Sequence, residues 1–212
     1  MFKLRKGTCQ DAEAIAKVQV DSWQTTYRGI VADEFIDSLS YEGQQRKWNQ
    51  LQDDAILYVI ENLAGDVVGF ANGGTQRNET FADYDGELYA IYLLQAYQGQ
   101  GGGRLLFETV KKDLLASGYQ KMSVLVLKGN PAVQFYQAMG GRLLGEEVLQ
   151  ILGEDYVEFV YGWDLFKCGE DAALVMDKAN ADFVAIGRSL VMDPDWVEKV
   201  REGQEETSDS ID

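Results

Sequence analysis

With 212 residues, 46% of them apolar, the chain is long enough for one ordinary domain whose core needs no covalent staples. Its formal charge of −16 disfavours contact with nucleic-acid phosphates and suits a cationic or amine-bearing partner. It contains no histidine, which removes histidine triads and histidine-ligated zinc and leaves acid–base chemistry to carboxylates, tyrosine, lysine, cysteine or water.

The two cysteines, Cys9 and Cys168, form neither a metal-ligand spacing nor a disulfide framework, so a reduced intracellular setting is expected. The N-terminal "MFKLRKGTCQ" lacks an apolar signal region, and no run of ~18 apolar residues occurs. The reading is a cytoplasmic protein with no membrane or nucleic-acid partner and no metal.

In chain order, "FKLRKGT" reads as a short strand. Thr8 follows as a helix cap, with Asp11 three residues on. Ala12, Ile15, Ala16 and Val18 then recur at helical spacing, and "DSWQTTYRGI" carries Trp23 and Tyr27 at i, i+4. "ADEFIDSLSYEGQQRKWNQL" reads as two short helices broken at Ser40. The period then changes. "AILYVIE" and "VVGFANGGT" are strands joined by the turn "NLAGD", and "ELYAIYL" (87–93) is a third, after a polar loop. Strict alternation puts Glu87, Tyr89, Ile91 and Leu93 on one face and Leu88, Ala90 and Tyr92 on the other. Leu106, Phe107, Val110 and Leu114 mark the apolar face of a helix that Gly118 ends. "KMSVLVLK" (121–128) is a strand. "GNPAVQFYQAMGG" then reads as a helix with Asn130 near its cap and Pro131 in its first turn. "RLLGEEVLQIL" and "DYVEFVYGWDL" flank "GED" as a hairpin. The order implies an α/β (α+β) fold with a mixed, mostly antiparallel sheet and one crossover.

The stretch "YQGQGGGRLL" (97–106) sets four glycines directly ahead of a helix. Glycine lets several backbone N–H groups converge at the positive end of the helix, which is the chemistry of a pyrophosphate cradle. The nucleotide P-loop ending is absent, because Arg104 follows Gly103. The dinucleotide fingerprint fails at the same residue. The segment is Gln98-Gly99-Gln100-Gly101-Gly102-Gly103, directly after a strand.

This pattern resembles the acyl-CoA signature of the GNAT N-acetyltransferase family. "ELYAIYLLQAYQGQGGGRLL", "VLVLKGNPAVQFYQAMGGRLLGEE", "DSWQTTYRGIV" and the final hairpin are similar to successive family blocks, over about residues 1–166. The resemblance implies the GNAT fold, in which the strand before the cradle splays from its parallel neighbour. It implies acetyl-CoA as cosubstrate and a small-molecule or peptide amine as acceptor, acetylated by direct attack in a ternary complex. Homodimers are common in the family. Carried over, the backbone around Ile91, Tyr92 and Leu93 would bind the pantetheine arm. Gln98, Gly99, Gly101, Gly102, Gly103 and Arg104 would hold the pyrophosphate, with Gln98 standing where the family often has arginine. Asn130, Ala132 and Tyr136 would close the other side. Tyr136 matches the family's general acid, and Glu87 stands where some members place a base acting through water. Trp23, Tyr27 and Tyr89 would wall the acceptor site, with Tyr84 a weaker candidate. A non-catalytic CoA-binding sensor or assembly module of the same fold is the alternative.

Residues 167–212 carry 12 acidic and 5 basic side chains and form an appendage whose end reads as disordered. "ANADFVAIGRSLVMDPDWVEKVREG" resembles the last strand–helix unit of the old yellow enzyme family of flavin barrels. Gly187-Arg188 match its phosphate-contacting pair. A fragment of this size cannot close a barrel, so FMN binding is not expected.

Overall fold

The computed structural model of the protein describes residues 2–50 and 55–165. The appendage at 167–212, with Cys168, Gly187 and Arg188, lies outside the described residues. Chain order is β1 (Lys3–Lys6), α1 (Ala12–Thr26), α2 (Asp33–Ser38), α3 (Tyr41–Trp48), β2 (Ile56–Glu61), β3 (Val67–Thr75), β4 (Gly86–Leu93), α4 (Gly102–Ala116), β5 (Lys121–Leu127), α5 (Ala132–Ala138), β6 (Arg142–Ile151) and β7 (Glu154–Asp164). The seven strands make one sheet in the order β1-β2-β3-β4-β5-β7-β6. All neighbours are antiparallel except β4 and β5, which α4 connects as a crossover.

Local chemistry explains the boundaries. The Thr8–Asp11 box forms: the Thr8 N–H donates to Asp11 Oδ2 at 2.9 Å, and Arg5 clamps the same carboxylate from β1. A short 3-10 turn (Cys9–Asp11) intervenes before α1, so the regular helix starts later than a cap at Thr8 implies. Ser40 caps α3 by accepting the Gly43 N–H at 3.0 Å. The hairpin turn is Leu152-Gly153 rather than Gly-Glu-Asp. Both residues have positive φ, 52° and 83°, as a two-residue turn matched to strand twist requires. The sequence leaves β7 beside β6. In the fold β7 sits between β5 and β6, a central position that buries Val160 to Trp163 on both faces.

Helices cover both faces. The predicted face of α4 is fully buried: Leu106, Phe107, Val110 and Leu114 pack against Ile60, Val68, Leu88, Met122 and Val124. Each such side chain stabilises the fold by roughly 1.5–3 kcal/mol. On the opposite face Ile15 and Val18 of α1 meet Leu57, Val59 and Phe70.

Strand β4 departs from strict alternation. Its register with β3 jumps between Asn72↔Ala90 and Gly73↔Leu88, leaving Tyr89 as an inserted residue. Leu88, Ile91 and Leu93 therefore pack on the α4 side, and Ala90 and Tyr92 on the α1 side. Tyr89 joins the latter group: a side chain on Gly74, the partner of Glu87, would run into the Tyr89 ring at 2.7 Å. Glu87 and Tyr89 do share a face, but with Ala90 and Tyr92, not with Ile91 and Leu93.

Candidate active site

The bulge lies where β4 leaves β5. Their parallel pairing is confined to Gly86↔Met122 and Glu87↔Ser123, although β5 continues to Leu127. Beyond Glu87 the backbone edge of β4 facing β5 has no strand beside it. A cavity of about 590 Å³ fills the opening. Residues 89–93 of β4 line one wall and 124–126 of β5 the other, with residues 25–27 of the α1 end at one mouth and the glycine turn at the other.

The glycine turn has the geometry a large anion needs. Gly99 and Gly101 take φ of 71° and 87°, where a Cβ would be strained. Gly101 caps α4, so the free N–H groups of the first turn open toward the cavity end. Gly102 is required for packing instead: a Cβ there would come within 2.8 Å of Ile60 Cδ1 and 3.0 Å of Phe2. Arg104 is exposed in the first turn and lines the cavity. Gln98 also lines it, and its side-chain amide donates to the Leu93 carbonyl at 3.0 Å, tying the turn to the end of β4.

Across the opening, Asn130 is buried. Its Oδ1 accepts the Ala132 N–H at 2.8 Å and so caps α5, which begins one residue after Pro131. Tyr136, 4% exposed, packs among Phe135, Tyr161 and Trp163 and still lines the cavity. Its hydroxyl has no hydrogen-bond partner among the described residues, and burial pushes its pKa up, keeping the proton in place at neutral pH.

At the mouth formed by the end of α1, Tyr27 stacks on Trp23, with ring centroids 4.1 Å apart. Trp23 Nε1 donates to the Tyr92 hydroxyl at 3.0 Å. Tyr27 and Tyr92 line the cavity; Trp23 stands behind and buttresses them. Burial raises the pKa of both tyrosines. Tyr89 lines the cavity too, and its hydroxyl donates to the Thr75 carbonyl at 2.6 Å.

Glu87 is placed differently from the other candidates. It is 3% exposed and stands at the closed end of the opening, outside the residues that line the cavity. Arg77 engages both of its oxygens: Nη2 to Oε1 at 2.5 Å, and Nε and the backbone N–H to Oε2 at 3.2 and 2.9 Å. The Arg77 guanidinium also lies 4.0 Å over the Tyr89 ring. Tyr84, in the same β3–β4 connection, packs on Gly162 of β7, and its hydroxyl accepts from Arg142 at 3.0 Å. That connection straps across the sheet from Glu87 of β4 to Gly162 of β7. Cys9 is exposed and is not a lining residue.

Four groups escaped sequence reasoning. Ser22 lines the cavity, 3% exposed, with its hydroxyl unpartnered, and Asn72 Oδ1 is buried and equally unpartnered. Arg77 as the partner of Glu87 was hidden in a polar loop. Glu158 of β7 looks like an ordinary strand carboxylate in "DYVEFVY". In the fold it faces Glu147 directly across the β6–β7 ladder, and its carboxyl is held above the usual range by burial, then by Glu87 and Glu147.

Among the described residues no helix is long and apolar enough to cross a membrane, and no group of three or more cysteines or carboxylates could hold a metal ion.

Comparison with known proteins agrees with this geometry. The chain is 39% identical over 163 residues, 77% of its length and 93% of the relative's, to the uncharacterized N-acetyltransferase YuaI of Bacillus subtilis. It is similar in structure to an N-acetyltransferase from Staphylococcus aureus Mu50, with TM-score 0.62 at 19% identity over 78% of this chain and 99% of that one. It is also similar to yncA of Salmonella typhimurium, solved with acetyl-CoA, with TM-score 0.61 at 17% identity over 79% and 95% of the two chains. PaiA from Thermoplasma acidophilum, solved with coenzyme A, gives TM-score 0.54 at 20% identity over 77% and 99%. The acetyltransferase (GNAT) family model spans residues 17–140, from α1 through the splayed strands and the glycine turn to the end of α5, and the chain that builds this cavity belongs to that family.

Proposed function

We propose that the protein transfers an acetyl group from acetyl-CoA to a primary amine by direct attack within a ternary complex. The observation that carries the reading is the cavity between β4 and β5, with the glycine turn at one end and the unpartnered Tyr136 hydroxyl inside it. The residues fit the cosubstrate: the positive-φ glycines, the α4 N-terminus and Arg104 suit a pyrophosphate, and the unpaired edge of β4 suits an amide-bearing arm. When bound, acetyl-CoA would supply an activated thioester.

Each remaining part of the chemistry falls to a group of the chain. The backbone of Ile91 to Leu93 orients the arm. Gln98 holds the turn against Leu93 while the N–H groups from Gly99 to Arg104 meet the phosphates. Asn130 and Ala132 fix the start of α5, and so the position of Tyr136. Tyr136 delivers its proton to the departing thiolate sulfur as the carbon–sulfur bond breaks; its raised pKa keeps it in the acid form. The proton that the amine nitrogen gives up on forming the amide passes through water to restore the hydroxyl. Tyr27, Tyr89 and Tyr92 shape the acceptor mouth, with Trp23 behind them. Glu87, engaged on both oxygens by Arg77, fixes the strap over that mouth, which suits a positioning role better than that of a free base.

The deciding experiment is thermal melting with and without acetyl-CoA, followed by thiol release with an amine panel. Ligand at ~100 times its dissociation constant stabilises the fold by about 2.7 kcal/mol. A shift with turnover is expected. A shift with no turnover on any amine would leave the CoA-binding module, and no shift at millimolar ligand would sink both.

A further inference from the structure

Attack on a thioester needs the amine without its ammonium proton, and something must take that proton. Among the described residues that line the cavity, Arg104 is the one charged side chain, and it stands at the glycine turn. The β5 wall, Val124 to Val126, carries nothing that titrates. The other titratable groups of the lining are hydroxyls: Tyr27 from α1, Tyr89 and Tyr92 from β4, and Tyr136 from α5. Burial raises the pKa of all four, so each keeps its proton at neutral pH and none is a base there.

The carboxylates coupled electrostatically to these tyrosines, Glu87 to Tyr89 and Glu158 to Tyr92, do not line the cavity. Glu87 has both oxygens engaged by Arg77. Glu158 is on β7, one strand beyond the β5 wall. The α1-end mouth is aromatic instead, with Tyr27 stacked on Trp23 and Tyr92 packed on Phe70 at 5.6 Å. Taking an ammonium group out of water against such walls, with no counter-charge on them, is unfavourable, whereas a neutral amine enters readily. The lining therefore neither removes the proton nor welcomes the charged form.

We propose that the acceptor is a weakly basic primary amine of the α-amino class, the kind carried by amino acids and peptides, and that it enters the cavity already neutral. The inference rests on the acetyltransferase reading and narrows its acceptor. The amine loses its ammonium proton to bulk water before binding. Its nitrogen then bonds to the thioester carbon as the carbon–sulfur bond breaks. The sulfur takes the Tyr136 proton, and the proton that the nitrogen sheds returns through water to Tyr136.

The test compares two isomers of equal size and charge by thiol release at saturating acetyl-CoA. Nε-acetyl-lysinamide presents a free α-amine, and Nα-acetyl-lysinamide presents a free side-chain amine. With ordinary pKa values of ~7.8 and ~10.4, the neutral fraction at pH 7.5 is roughly 250-fold larger for the α-amine. The more basic amine is the stronger nucleophile and recovers part of this, so kcat/KM should favour the α-amine by at least about tenfold. Between pH 6.5 and 9.5 the preference should shrink by roughly 40-fold, because the side-chain amine is still losing protons after the α-amine has finished. A preference set by shape alone would not change with pH. Glu87→Gln should leave the inflection of each profile where it is, whatever it does to the rate. An inflection that moves would assign the proton to that carboxylate and overturn the proposal. An equal or reversed preference at pH 7.5, a ratio constant across the pH range, or no turnover of either isomer by protein that shows the acetyl-CoA melting shift would overturn it too. Absence of the melting shift would instead sink the acetyltransferase reading beneath it.

Discussion

Replacing Tyr136 by phenylalanine separates chemistry from folding. The ring contacts with Phe135, Tyr161 and Trp163 survive the change, with centroid distances of 5.4, 6.4 and 6.1 Å. The hydroxyl has no partner among the described residues, so no internal hydrogen bond is lost. Stability should stay within about 0.5 kcal/mol of wild type, against about 1 kcal/mol for a buried hydroxyl that is bonded. A positioned general acid contributes typically ~10²–10⁴ in rate, which is about 2.7–5.4 kcal/mol of barrier. Thiol release at saturating cosubstrates should therefore fall by at least ~100-fold, while the acetyl-CoA melting shift persists. Because burial raises the pKa of this hydroxyl, wild type should lose no activity through its ionisation up to pH about 9. Turnover within about threefold of wild type would refute the assignment, being far below the ~100-fold minimum. A parallel loss of cosubstrate binding would recast the hydroxyl as a binding group.

Two further perturbations test the electrostatics. Arg77→Met strips the buried Glu87 side chain, 4% exposed, of its guanidinium; because Arg77 is itself 61% exposed, the loss in urea unfolding should be about 1–3 kcal/mol. Adding Glu87→Gln should restore part of it, and an Arg77→Met protein as stable as wild type would contradict the clamp. The Asp11 carboxyl is held below its usual range, first by the Arg5 hydrogen bond, so the native state binds fewer protons than the unfolded one. Its contribution is present above pH about 4 and is lost as the pH falls further, so Asp11→Asn should flatten the acid limb of the melting profile. Glu158 has the opposite sign. Its carboxyl is raised, so stability is lost as the pH rises from about 4 through the raised value, and Glu158→Gln should raise Tm at pH 8 but not at pH 4. Identical profiles for the two variants would contradict both environments.

Much of this architecture is written in local periodicity. Leu106, Val110 and Leu114 give α4, and the strand–glycine–helix order gives the cradle, because each depends on neighbours within a few residues. The place of Asn130 at the start of α5 was legible for the same reason, whereas Tyr136 was singled out only by the resemblance of its block to the family. Long-range features were not. Nothing near Glu87 announces Arg77, ten residues earlier in a polar loop. Nothing in "DYVEFVY" distinguishes Glu158 from a solvated carboxylate, since its environment comes from β4 and β6. The face assignment of Ile91 and Leu93 failed because a period of two cannot announce where a residue has been inserted.

That inserted residue separates what the sheet needs from what the cavity needs. With Tyr89 deleted, Glu87, Leu88, Ala90, Ile91, Tyr92 and Leu93 alternate without interruption, each still on the face it occupies now. The shortened strand would satisfy every demand of the core and would run straight alongside β5. Its free edge would then zip into the ladder that stops at Ser123, and the cavity would vanish into ordinary sheet. Tyr89 is thus surplus to the alternation of the strand, and it stands where the seam between β4 and β5 begins.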